Sequence, residues 1–124
     1  MLNSKTIVNL LKIELSKYSN IEFGYLFGSY ADGSFTNKSD VDIALFLNNC
    51  SFDTELELHF KLSKTLNKDV DLVILNKAKN LYLLDDIFQK GLVLKDSEKR
   101  IDYEIRKQHQ IFDYKEFKRR IGAA

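Results

Sequence analysis

The chain has 124 residues, enough for one domain around one core and too few for two of ordinary size. Its 44% apolar and 12% aromatic content excludes a disordered chain, and no apolar stretch reaches the length that crosses a bilayer. Nineteen basic residues against eighteen acidic ones leave a formal charge of +1, which excludes the broad basic surface of a direct nucleic-acid binder.

From Ser4 to Tyr18 the apolar residues Ile7, Leu10, Leu11, Leu15 and Tyr18 recur at helical spacing, with Ser4 as the expected N-cap. Charges interrupt this amino-terminal stretch, so it does not read as a signal peptide. Ile21 to Phe27 is a β-rich run that ends at Gly28-Ser29. The polar segment from Ala31 to Ser39, punctuated by Asp32-Gly33 and Asn37, is turn-forming. Val41 to Leu47 is the next strand. The lone cysteine, Cys50, has no partner spacing for a disulfide, zinc site or nucleophile and fits a reducing cytoplasm.

Phe52 to Asn67 reads as a second helix with two apolar stripes, Leu58-Leu62-Leu66 and Phe52-Leu56-Phe60. One stripe meets the sheet, and the other is left for a neighbouring helix or another protein. Val70 to Leu75 is a third strand, followed by a helix over Leu81 to Lys90 capped by Gly91, then a short fourth strand over Leu92 to Lys95. The remainder, from about 97 to 121, is a charged helical segment. It has Ile101, Ile105, Gln108 and Phe112 on one side and Tyr103, Tyr114, Phe117 and Ile121 on another, which predicts a bend near Asp113 or the use of two faces. Its basic run, Lys115, Lys118, Arg119 and Arg120, reads as a solvated helix end. Helix and strand alternating in this order predict an α/β (α+β) fold over residues 1–124: one domain, a small mixed sheet packed with helices.

The chemistry concentrates between Gly24 and Leu47. Gly28, directly after an apolar strand, lets the backbone turn sharply and approach a ligand, and Ser29 opening a helical turn would offer donors to phosphate. Asp40 and Asp42, two apart on a strand, share one face with their Cα atoms about 7 Å apart, while Val41, Ile43, Leu45 and Leu47 point the other way. Paired carboxylates repel unless a cation lies between them. Magnesium suits such a pair, since it takes one or two carboxylates together with substrate phosphates and water. Asp71, the only charge inside the Val70 to Leu75 strand, joins the set if that strand lies beside the one carrying Asp42. His59 and His109 stand alone and read as surface or partly packed side chains.

Gly28-Ser29, ten intervening residues, Asp40-Val41-Asp42 and a later strand acid, Asp71, resemble the motif of the minimal nucleotidyltransferases of the DNA polymerase β-like superfamily. The likeness covers essentially the whole chain. It implies that Gly28 and Ser29 cradle the triphosphate of ATP, that Asp40, Asp42 and Asp71 hold one or two magnesium ions, and that Asp71 helps to activate an acceptor hydroxyl. Many such proteins are antitoxins of HEPN-domain ribonuclease toxins. The resemblance therefore implies transfer of AMP to a toxin tyrosine, or neutralisation by masking alone. Transfer to a small molecule such as an antibiotic is a further alternative, but relatives with that activity carry an added helical domain. One departure stands out: where relatives often have a basic residue after the Gly-Ser, this chain has Ala31-Asp32-Gly33. Asp32 is expected to face solvent, because Asp-Gly is a strong turn former.

Overall fold

Each element follows from where its apolar residues fall, and the computed structural model, which describes residues 3–122, assembles them around a four-stranded sheet. The two terminal residues at each end of the expected 1–124 domain lie outside the described residues. Helix α1 (Ser4–Leu15) buries Ile7, Leu11 and Leu15. Its N-cap is Asn3, not the expected Ser4: Asn3 is extended and its side chain accepts from the Thr6 N–H at 2.9 Å. Ser4 has already entered the helix and leaves no capping geometry to its own hydroxyl.

Strand β1 (Ile21–Phe27) lies between β2 (Val41–Leu47) and β4 (Leu92–Lys95), and β3 (Val70–Ile74) forms the far edge, giving the order β3-β2-β1-β4. β1 runs antiparallel to both neighbours, whereas β2 and β3 are parallel. The mixed sheet matches the expectation. Parallel neighbours need a crossover, and helix α3 (Phe52–Leu66) supplies it. The ladder continues past the end of β3 through a side chain: the Asn76 carboxamide accepts from Leu47 N–H at 2.9 Å and donates to Leu47 C=O at 2.7 Å.

Two cores lie on opposite faces of the sheet. One joins Ile7, Leu11 and Leu15 of α1 to Leu58, Leu62 and Leu66 of α3 over Val41, Ile43, Leu45 and Leu47. The other packs Leu84 and Ile87 of α4 (Leu81–Lys90) and Tyr103 and Ile111 of α5 (Glu98–Gly122) over Phe23, Tyr25 and Ala44. Lys95 ties β4 to the end of the first helix, its ammonium donating to Tyr18 C=O at 2.7 Å and Leu15 C=O at 3.4 Å.

Gly91 caps α4 as expected, its N–H donating to Ile87 C=O at 2.8 Å from an extended conformation. Glycine is required there because a Cβ would run into the Ile87 carbonyl. The carboxy-terminal segment is one helical element of 25 residues with no break at Asp113. It has no glycine or proline before Gly122, and ion pairs Arg100–Glu104 and Arg106–Asp102 support it at helical spacing. Only its Tyr103–Ile111 side is buried, with Tyr103 Oη donating to Leu75 C=O at 2.9 Å. Ile101, Ile105 and Phe112 remain exposed.

Of the two α3 stripes, Leu58-Leu62-Leu66 is buried and Phe52-Leu56-Phe60 is exposed. The contrast sets an expectation for urea unfolding of the isolated chain: Leu62→Ala destabilises by about 2–5 kcal/mol through transfer and cavity terms, while Phe60→Ala stays within about 0.5 kcal/mol of the parent.

Candidate active site

The end of β1 and the starts of β2 and β3 meet along one margin of the sheet, and the predicted residues gather there. Phe27, the last residue of β1, is the register partner of Asp42, and Asp42 is in turn the register partner of Asp71 across the parallel pair. Partners in adjacent strands are separated by about 4.8 Å and project from the same face. Asp42 and Asp71 are therefore side by side, close enough for their carboxyl groups to share a hydrogen bond. Val41, Ile43, Leu45 and Leu47 point into the opposite core as expected, so the apolar half of β2 fixes the direction of its acidic half.

Gly28 takes φ +72° and ψ −152°, a backbone region essentially closed to residues with a Cβ. A Cβ at this position would collide with the Asp42 carboxylate and lie 3.0 Å from its Cγ. The glycine thus permits both the turn and the close approach to Asp42. It leads into the four-residue helix α2 (Ser29–Asp32), closed when Gly33 N–H donates to Ser29 C=O at 2.9 Å. Tyr30 anchors this turn in the core, fully buried and stacked on Phe35 with ring centroids 4.5 Å apart. The sequence reading assigned no such anchor; an aromatic inside a Gly-Ser turn is its signal.

Asp32 is exposed, and its carboxylate accepts from the Ser34 N–H at 2.9 Å. Hydrogen bonding to Ser34 holds its pKa below the ordinary value. Its charge is engaged in a local turn, in line with the expectation that it faces solvent.

A second turn, in which Ser39 Oγ accepts from Thr36 N–H at 2.8 Å, delivers Asp40 to the start of β2. Asp40 is exposed and opens onto a groove of about 580 Å³. Lys38, Lys64, Lys68 and Phe60 are among the residues that line it. The sequence reading did not single out these lysines, although Lys68 lies three positions before Asp71. Lysines scattered over a turn and a helix end give no periodic signal.

Asp42 is the electrostatic centre of the cluster. Desolvation first, then the charges of Asp71 and Asp40, then the hydrogen bond with Asp71 raise its pKa to about 6. Among the described residues no group of three or more Asp, Glu, His or Cys side chains is arranged to hold a metal ion by itself. The donors nonetheless fit magnesium, which uses one or two protein carboxylates and completes its octahedron with phosphate oxygens and water. A half-buried carboxylate crowded by two others is the observation that calls for a cation. The Asp71 strand lies beside the one carrying Asp42, at the edge of the sheet, and leaves Asp71 exposed.

The family model described as polymerase beta nucleotidyltransferase matches residues 9–100. The protein adenylyltransferase MntA of Shewanella oneidensis is 41% identical over 81 residues, 62% of this chain and 54% of its own length. The chain thus spans about half of that relative. A protein of Methanocaldococcus jannaschii named as a candidate protein adenylyltransferase is 34% identical over 96 residues, 73% of this chain and 92% of its own. A crystal structure of a toxin-antitoxin with AMP-PNP superposes with a TM-score of 0.74 at 27% identity, covering 97% of this chain and 95% of the other.

Two outcomes follow from the geometry. Gly28→Ala lowers stability by about 1–3 kcal/mol of backbone strain and displaces Asp42, which denaturant unfolding and a nucleotide-transfer assay report separately. Asp42 titrates higher in the folded chain, about 6, than its ordinary 3.8, so the folded state holds that proton more tightly. The penalty is absent below pH 3.8, grows between 3.8 and 6 and is fully present above 6. Asp42→Asn, unfolded with urea in chelator, is therefore more stable than the parent at pH 7.5, with the difference closing near pH 4.

Proposed function

The chain belongs to the polymerase beta nucleotidyltransferase family, and on that premise we propose that it forms one metal-dependent protein adenylyltransferase domain. It acts as an antitoxin, moving AMP from ATP to a hydroxyl, a tyrosine, of a partner HEPN-domain toxin in the cytoplasm. The single observation that carries this reading is Asp42: a carboxylate with its pKa raised to about 6, paired with Asp71 and set against the Gly28 turn, where a Cβ would collide with it. The similarity to MntA and to the complex with AMP-PNP supports the same chemistry.

In this reading Gly28 and Ser29 hold the triphosphate, with the first N–H groups of α2 directed at its oxygens. Asp40 and Asp42 are the metal ligands and Asp71 completes the set. Magnesium, when bound there, neutralises phosphate charge and lowers the pKa of oxygen ligands. The acceptor oxygen forms a bond to the α-phosphorus, the bond from that phosphorus to the bridging oxygen breaks, and pyrophosphate leaves with the electron pair. Asp71, on the open edge, takes the hydroxyl proton. Orientation and charge compensation supply most of the acceleration in such a transfer.

A second reading, silencing by coverage of the toxin without catalysis, is favoured by the exposed Phe52-Leu56-Phe60 stripe. Labelled ATP, magnesium and the HEPN partner separate the two. Asp42→Asn is expected to label the partner at least about 100-fold more slowly, the scale of a lost transition-state charge interaction. Magnesium should raise the melting temperature of the parent and leave the variant unchanged. Equal labelling by the variant would remove Asp42 from the mechanism; full neutralisation by a variant with all three aspartates replaced by asparagine would favour coverage.

A further inference from the structure

An enzyme that modifies a protein must seat that protein on a surface contiguous with its reacting groups. The outer face of α3 has that property. Phe52, Leu56 and Phe60 are 74%, 56% and 65% exposed, and at four-residue spacing they form one stripe about 12 Å long. Three large apolar side chains left in water on one helix face mark an interaction site. Phe60 lines the groove that contains Asp40, and it also lines a second, apolar groove with Leu56 and His59. The stripe therefore reaches the groove that flanks the candidate active site at Asp40. The groove along α5, lined by Arg100, Ile101, Glu104, Ile105, Gln108 and His109, contains no site carboxylate.

Two further features define the occupant. Lys38, Lys64 and Lys68 line the Asp40 end of the surface, with the Lys68 ammonium fixed by donation to Asn37 C=O at 3.2 Å. The adjacent sheet edge is not open to strand addition at that end. Asp69 C=O accepts from Val41 N–H within the sheet, so Val70 C=O faces outward, where the His59 ring nitrogen Nε2 meets it at 2.7 Å. A strand docking there would have to displace His59. A helix laid along α3 would not, and helices dock through apolar anchors at this spacing.

We propose that the outer face of α3 is the docking surface for the protein substrate. It receives an amphipathic helix whose apolar side covers Phe52, Leu56 and Phe60 and whose acidic residues, next to the acceptor hydroxyl, meet Lys38, Lys64 and Lys68. The inference rests on the adenylyltransferase reading for the identity of the partner, while the exposed apolar stripe stands independently of that reading.

The test uses Leu56→Asp, Phe60→Asp and, on α5, Ile105→Asp, with the full chain and the purified HEPN protein. Affinity is measured by titration calorimetry, labelling with ATP and magnesium, folding by circular dichroism and self-association by sedimentation. Leu56→Asp and Phe60→Asp are expected to weaken partner binding at least roughly 30-fold, as loss of an interface anchor does. They raise KM for the partner, keep the parent's melting temperature and keep its response to ATP. Ile105→Asp binds and labels like the parent. Parent-like binding by both α3 variants, loss confined to Ile105→Asp, or an α3 variant that alters only self-association would overturn the proposal. If the parent binds through α3 yet labels nothing, the catalytic reading fails and the docking surface stands.

Discussion

Two carboxylates forced together by strand register are the constraint on which the molecule turns. Asp42 and Asp71 are partners in the parallel β2–β3 ladder, and neither can leave without shifting every residue of its strand to the wrong face. Val41, Ile43, Leu45 and Leu47 lock β2 into the core beneath α1 and α3. Folding energy gained on that face therefore offsets repulsion on the other. The result is a folded state with a locally unfavourable charge arrangement that a bound cation would relieve.

This arrangement divides the sheet into working parts. One margin carries the carboxylates and the Gly28 turn. The opposite end of the ladder is closed by Asn76 acting in place of a further strand residue. Lys95 joins β4 to the carbonyls at the end of α1, so the short edge strand is held by more than its four residues. Neither tie contributes a group to the acidic margin; Asn76 holds β2 to the chain just beyond β3, and Lys95 holds β4 to the end of α1.

Much of this was legible in the residues. The β-rich run Ile21–Phe27 and the run Val41–Leu47 match β1 and β2 to the residue, and two-residue alternation along β2 placed Asp42 on the face away from Val41, Ile43, Leu45 and Leu47. Gly28 announced itself by following an apolar strand and preceding a serine. Other features depended on partners remote in sequence. Asn3 rather than Ser4 caps α1 because capping is decided by backbone angles one residue apart. The expected bend or second contact face in α5 came from counting two apolar faces, whereas only the Tyr103–Ile111 face is buried. That Asp71 belongs to an edge strand, and that three lysines surround the groove at Asp40, are consequences of strand order. No local spacing encodes strand order.

The contact between His59 and the outward carbonyl of Val70 has a wider consequence. Sheet margins with free carbonyls recruit other chains into fibrils, and proteins commonly guard them with charged side chains directed outward. Here a helix imidazole occupies the acceptor from beside the strand, so the guard needs no ammonium or carboxylate projecting across the neighbouring apolar surface. A chain can then keep a sticky helix face accessible while denying its own copies the strand-to-strand route to aggregation.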